Sequence, residues 1–193
     1  MKVLVVVALE QELSGQANQL LTQAGVDIVY SGVGKVNAAL TTLTAIRFYS
    51  PDMIVNYGTA GSISGAAGFK EVTKVCQRDM LPADLGPRGI TPFSKDTSLY
   101  LTNSRPGLRL GTGDSFVTDT DPWLVDHCDL VDMEGYAIAR AANIHGIPWR
   151  IYKHVSDHAN GDSAESWKTN VEAGSDLFAS LVLELSDNRH YNS

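Results

Sequence analysis

Continuous apolar runs alternate along this chain with stretches whose apolar positions recur at helical spacing, which is the pattern of an α/β fold. Residues 3–8 are an unbroken apolar run, predicting a strand buried on both faces of a mainly parallel sheet. A helix through Leu13, Leu20 and Leu21 follows, then a second strand over residues 26–30. Residues 31–39 turn that strand into a helix of small residues, and a third strand over 53–57 ends in a glycine-bracketed turn at 58–62. Residues 72–75 read as a strand, 108–117 as a strand with a glycine-relieved middle, and Asp119 to Pro122 offer caps for a short helix.

The second half repeats the alternation. Met133, Ala137, Ile138, Ala141 and Ala142 keep helical spacing, so a helix is expected from about Asp132 to His145 with Glu134 in its first turn. Gly146 stops it, and the aromatic and β-branched run after Pro148 predicts a strand ending at Ser156 and Asp157. Residues 167–185 form a closing amphipathic helix with Val171, Phe178, Leu181, Val182 and Leu185 on its apolar face, and residues 188–193 should fray. Between these elements, the proline-rich segment 81–94 reads as irregular surface placed to act as a lid.

With 193 residues and 44% hydrophobic content, the chain suits one compact α/β domain over residues 1–193 rather than two small ones. No run approaches the roughly 18 apolar residues of a membrane span, and the amino terminus lacks a signal-peptide pattern, so no membrane partner and a cytoplasmic location are expected. Cys76 and Cys128 are too few and too separated for a disulfide framework or a zinc site. A net charge of −7 without a basic stripe argues against a nucleic-acid partner and leaves a small ligand.

Carboxylates mark where that ligand would sit. Glu10 and Glu12 follow the first strand, Glu134 opens a helix, and Asp157 closes a strand, the ends at which open α/β sheets hold their ligands. Helix-dipole complementarity accounts for acids at such positions as well, and for Glu10 it is the preferred reading. Gly32 and Gly34 give G-x-G-K without the spacing of a dinucleotide or Walker loop, so they indicate only a close backbone approach. Phe116 offers a ring for stacking on a base. His127, Cys128 and Asp129, or His154 with His158, match no metal-ligand spacing, so neither a metal nor another cofactor is expected.

Four pieces in order, residues 8–12, 31–36, 56–61 and 131–134 with 155–157, resemble the nucleoside phosphorylase and nucleosidase superfamily. The branch they are most similar to is the 5'-methylthioadenosine/S-adenosylhomocysteine nucleosidases. The resemblance implies a central mixed, mostly parallel twisted sheet flanked by helices, a purine nucleoside substrate and a homodimer. It assigns Glu12 to activation of the attacking water, Asp157 to protonation of the purine at N7, and Glu134 to the ribose hydroxyls. Met133 falls under the sugar, Phe116 on the base, Val117 at the base edge through its main chain, and Thr59 near sugar and water. Ser156 orients the acid, and Lys153 stands where these nucleosidases carry an arginine near the water.

The chemistry agrees with those assignments. Breaking an N-glycosidic bond builds positive charge on the sugar and negative charge on the purine, so it needs an acid at the base, a base for water and anchored hydroxyls. Two departures from these nucleosidases stand out: a strand pair is missing between the first helix and Ser31, and Lys153 replaces their arginine; Asn56 occupies the place of a phosphate-binding arginine of the phosphorylases, which favours water. The group at the sugar's 5' position would meet residues 81–92, Trp167 and a partner subunit. A phosphate-dependent phosphorylase and a non-catalytic nucleoside-binding protein are the alternatives.

Overall fold

The computed structural model describes residues 1–119, 121–157 and 171–187. Its strands are β1 (Val3–Val7), β2 (Asp27–Tyr30), β3 (Met53–Ser62), β4 (Gly68–Gln77), β5 (Leu101–Thr102), β6 (Leu108–Thr112), β7 (Leu130–Asp132) and β8 (Trp149–Asp157). The helices are α1 (Gly15–Gln23), α2 (Lys35–Tyr49), α3 (Pro122–His127), α4 (Gly135–Ile144) and α5 (Ser175–Asp187).

All eight strands join one mixed sheet. β1 pairs in parallel with β2 and β3, and parallel pairing continues at β3–β8, β4–β6 and β6–β7. β3–β7, β4–β5 and β4–β8 are antiparallel. The pairs β3–β8, β8–β4, β4–β6, β6–β7 and β7–β3 close a ring, which leaves the long strand β3 without a free edge.

β1 is buried along its whole length because its alternating side chains enter two cores. Leu4 and Val6 join the cluster under α2 and α4, while Val3, Val5 and Val7 join the cluster under α1 and α5. Ala137, Ala141 and Ala142 keep the buried side of α4 thin, so it packs closely on α2 and the sheet. In the second cluster Phe178 of α5 stacks on Tyr57 with ring centroids 4.5 Å apart. Cys76 and Cys128, distant in sequence, meet in a third cluster as free thiols with Sγ atoms 3.9 Å apart.

Several boundaries differ from those expected. Leu130–Asp132 is a strand rather than a helix start, because it is captured between β6 and β3, and Glu134 becomes the N-cap of α4. Residues 58–62 are no turn: β8 pairs with β3 as far as Gly61, so the glycines stay in the sheet. β4 runs well beyond residues 72–75 at both ends, whereas β6 stops at Thr112 because its partner strands end there. The last helix begins at Ser175, and Trp167 lies outside the described residues. Glu10–Glu12 form a separate 3-10 turn ahead of α1, whose N-cap is Ser14, so Glu12 is not a first-turn acid of that helix. Segment 81–94 has one 3-10 turn, and Arg88 pins it to Asp121 at 2.6 Å and to the Arg78 carbonyl at 2.7 Å.

Because Phe178 is fully buried in that stack, Phe178→Ala should lower the unfolding free energy by about 3–5 kcal/mol in urea titration. A loss under about 1 kcal/mol would mean the stack does not hold α5 to the sheet.

Candidate active site

β3 and β8 run on together past the end of β1, and β7 with the start of α4 closes the space beside them. The resulting cavity has a volume of about 300 Å³. Glu12, Thr59, Phe116, Val117, Met133, Glu134 and Ser156 all line it, so the structure brings together seven candidates from five separated segments.

Glu12 reaches the cavity because its 3-10 turn folds back over the end of β1. The turn is closed by Glu12 N–H donating to the Leu9 carbonyl at 3.1 Å, and Leu9 N–H returns a bond to Glu12 Oε2 at 3.2 Å. Oε1 accepts from the Thr59 amide at 2.8 Å and from Thr59 Oγ1 at 3.0 Å. Both oxygens are therefore oriented before any ligand arrives. Glu10, in the same 3-10 turn, is exposed and does not line the cavity, and like Glu12 it lies ahead of α1 and outside its first turn.

Lys153 lies behind the cavity wall instead of lining it. Its ammonium, 1% exposed, pairs with Asp132 Oδ2 at 3.0 Å. Gly58 makes the approach possible: a Cβ there would stand 3.0 Å from Glu12 Oε1 and 3.3 Å from Lys153 Nζ. Burial pulls the Lys153 pKa down, but Asp132, Glu134 and Glu12 outweigh that and hold it above the ordinary lysine value.

Asp132, which sequence reasoning passed over as a helix start, organises this wall. Oδ1 accepts from Thr112 Oγ1 at 2.6 Å, and Oδ2 accepts from the Gly135 amide at 2.7 Å. Next to it, Glu134 Oε1 accepts from the Gly34 amide at 2.9 Å, so the close backbone approach marked by G-x-G-K is to a carboxylate of the protein itself. The lysine of that motif is engaged too, with Nζ 2.6 Å from Asp79. Burial first, and then the neighbouring Asp132 charge, push the Glu134 carboxyl up to about 7.

β8 carries a bulge at its end. Ala60 faces Val155 and Gly61 faces Asp157, which leaves Ser156 as the extra residue with its side chain in the cavity. Asp157 continues the strand beside it, and its side chain lies outside the described residues. Val117 is buried on the cavity, and neither its main chain nor that of Phe116 forms a hydrogen bond among the described residues. Phe116 is 53% exposed at the rim. Arg78, Asp132 and Ser115 line the cavity without having been singled out in the sequence. Arg78 gives no motif, since two of its three acceptors are main-chain carbonyls and the third is the Ser115 hydroxyl. No residue of segment 81–94 lines the cavity.

The chain matches the phosphorylase superfamily over residues 5–93 and 109–187. The chain belongs to that superfamily. Among its relatives is the 5'-methylthioadenosine/S-adenosylhomocysteine nucleosidase of Shewanella sp. (strain MR-7), 30% identical over 195 residues that cover 86% of this chain and 83% of the relative. The nucleosidase of the same name from Buchnera aphidicola is 28% identical over 81% of this chain and 79% of its own. In fold, the phosphorylase superfamily chain is similar to the futalosine hydrolase of Helicobacter pylori, with a TM-score of 0.84 at 20% identity over 97% of this chain and 98% of that one. A mutant nucleosidase from Helicobacter pylori, solved with 5'-methylthioadenosine in the active site, gives a TM-score of 0.82 at 21% identity over 97% and 98%.

The raised Glu134 carboxyl has a consequence for stability. Between its ordinary value of 4.5 and about 7 the folded chain keeps a proton that the unfolded chain releases, so this group's contribution to stability falls as pH rises through that window. Glu134→Gln should flatten that part of the stability profile, as read from thermal or urea unfolding at a series of pH values. An unchanged slope would place the proton elsewhere.

Proposed function

We propose that this protein hydrolyses the N-glycosidic bond of a purine nucleoside of the adenosine type, either 5'-methylthioadenosine, S-adenosylhomocysteine or a related derivative, and releases the free base. The observation that carries the reading is the Glu12 carboxylate, buried on the cavity and held by Thr59 and Leu9. The 30% identity to the nucleosidase of Shewanella sp. supports the same substrate class.

In this reading a water on Glu12 gives up a proton to the carboxylate as its oxygen bonds to the anomeric carbon. The bond to the purine breaks, and Asp157, at the end of β8, supplies the proton that neutralises the departing base at N7. Glu134 holds the ribose hydroxyls, with Met133 beneath the sugar and Thr59 near the water. Phe116 stacks on the base while the main chain of Val117 meets its edge, and Ser156 steadies the acid. Lys153 serves Glu12 from behind the wall through charge. No cofactor enters the scheme.

Water is favoured over phosphate by the charges around the site. Glu12, Asp132 and Glu134 border the cavity, and a phosphate dianion would face all three. Asn56, at the place of a phosphorylase arginine, is buried in the sheet and donates to the Val6 carbonyl at 2.9 Å. A homodimer in the cytoplasm completes the proposal. Val36, Leu40 and Phe48 expose apolar surface on α2 that a second copy would cover.

Base release should therefore proceed at the same rate with and without phosphate and yield the free sugar, and Glu12→Gln should lower it about 10²–10⁴-fold with folding intact. Strict dependence on phosphate, with the sugar 1-phosphate formed, would overturn the hydrolase reading. Asp157→Asn should cause a loss of the same order with purines that leave poorly. Near-normal turnover by a folded Asp157→Asn variant would remove that residue from the mechanism.

A further inference from the structure

Arg78 at the end of β4 lines the cavity with only 6% of its surface exposed, yet the scheme above gives it no task. Its fork is spent on one segment. Nη2 donates to the Gly113 carbonyl at 2.9 Å and also to the Ser115 carbonyl, and Nη1 donates to Ser115 Oγ at 3.2 Å. Nε has no hydrogen-bond partner among the described residues. Two glycines make room for the side chain: a Cβ on Gly111 would stand 3.3 Å from Arg78 Cβ, and one on Gly113 would stand 2.8 Å from its Cζ.

The segment so held leads directly into Phe116 and Val117, which lack regular structure of their own. Gly113 N–H is tied to the Asp132 carbonyl at 3.0 Å and the Asp114 amide to Asp79 at 2.9 Å, so residues 113–115 are fixed on both sides while the next two main-chain units have no hydrogen-bond partner among the described residues. We infer that Arg78 is the positioning residue of the base subsite: by turning the Gly113 and Ser115 carbonyls inward, it leaves the Phe116–Val117 main chain as the edge that reads the purine. This rests on the purine nucleoside reading of the cavity. A planar fork with several donors can hold two carbonyls at once, and a lysine head on a flexible stem cannot hold them in a fixed plane.

The test is calorimetric binding of adenine and of hypoxanthine to the parent protein, to Arg78→Lys and to Gly113→Ala, together with steady-state base release. Gly113→Ala displaces the guanidinium from the opposite side and keeps the arginine, so it carries the test if Arg78→Lys does not fold. In both variants the adenine Kd and the nucleoside KM should rise about tenfold or more, the size of one lost charge-assisted hydrogen bond, with kcat reduced by less. Discrimination between adenine and hypoxanthine should narrow as the reading edge loosens. Adenine affinity within about twofold of the parent in folded variants, or a fall in kcat at constant KM, would overturn the assignment. Failure of the parent to bind either purine would overturn the purine reading of the cavity, and this assignment with it.

Discussion

One ammonium, that of Lys153, sits fully enclosed with Asp132 in direct contact and with the Glu12 and Glu134 charges acting on it. An isolated buried charge costs several kcal/mol, so none of these groups is stable at its place without the others. One cation cannot balance three carboxylates, and the remainder is met in two ways. Main-chain N–H groups of Leu9, Gly34, Thr59 and Gly135 each point at a carboxylate oxygen. The rest is met by a proton, which Glu134 retains up to about 7.

That balance dictates much of the local backbone. Gly58 has to lack a side chain, because a Cβ would occupy the gap between Glu12 and Lys153. β7 has to end at Asp132 with α4 starting at once, since the Gly135 amide closes on that carboxylate. Gly34, at φ 97, turns its amide toward Glu134 in a left-handed conformation that suits glycine. The ordinary alternation of β8 puts Lys153 behind the wall and Ser156, three residues on, in the cavity.

What was legible in the sequence follows from the range of the interactions concerned. Val3–Val7 announces two-sided burial by itself, and the spacing of Ala137, Ile138, Ala141 and Ala142 shows the buried side of α4 without reference to any partner. Glu12, Met133, Glu134 and Ser156 follow or end strands or open a helix, where local pattern already limits their direction. Asp132 was hidden because its neighbours continue the helical spacing of α4, and only the pairing of β7 with β6 and β3 shows it to be a strand residue. The glycines of 58–62 resembled a turn for a similar reason. Their function is close contact within a sheet, and the partner strand lies about ninety residues later in sequence, at Lys153 to Asp157. Arg78 left no trace because two of its three acceptors are main-chain carbonyls, which any residue type supplies.

The same bookkeeping of charge bears on the choice of nucleophile. Among the described residues, the basic side chains nearest the site's acids and base edge are already engaged: Lys153 by Asp132, Lys35 by Asp79, and Arg78 by the Gly113 and Ser115 carbonyls. An anion entering the site would have to break one of these pairs, leaving a buried or half-buried carboxylate or carbonyl without its donor, before it gained a cation of its own. A water molecule asks for no such exchange. It needs an acceptor for its proton, and the Glu12 side chain is held in place for that by the Thr59 and Leu9 amides.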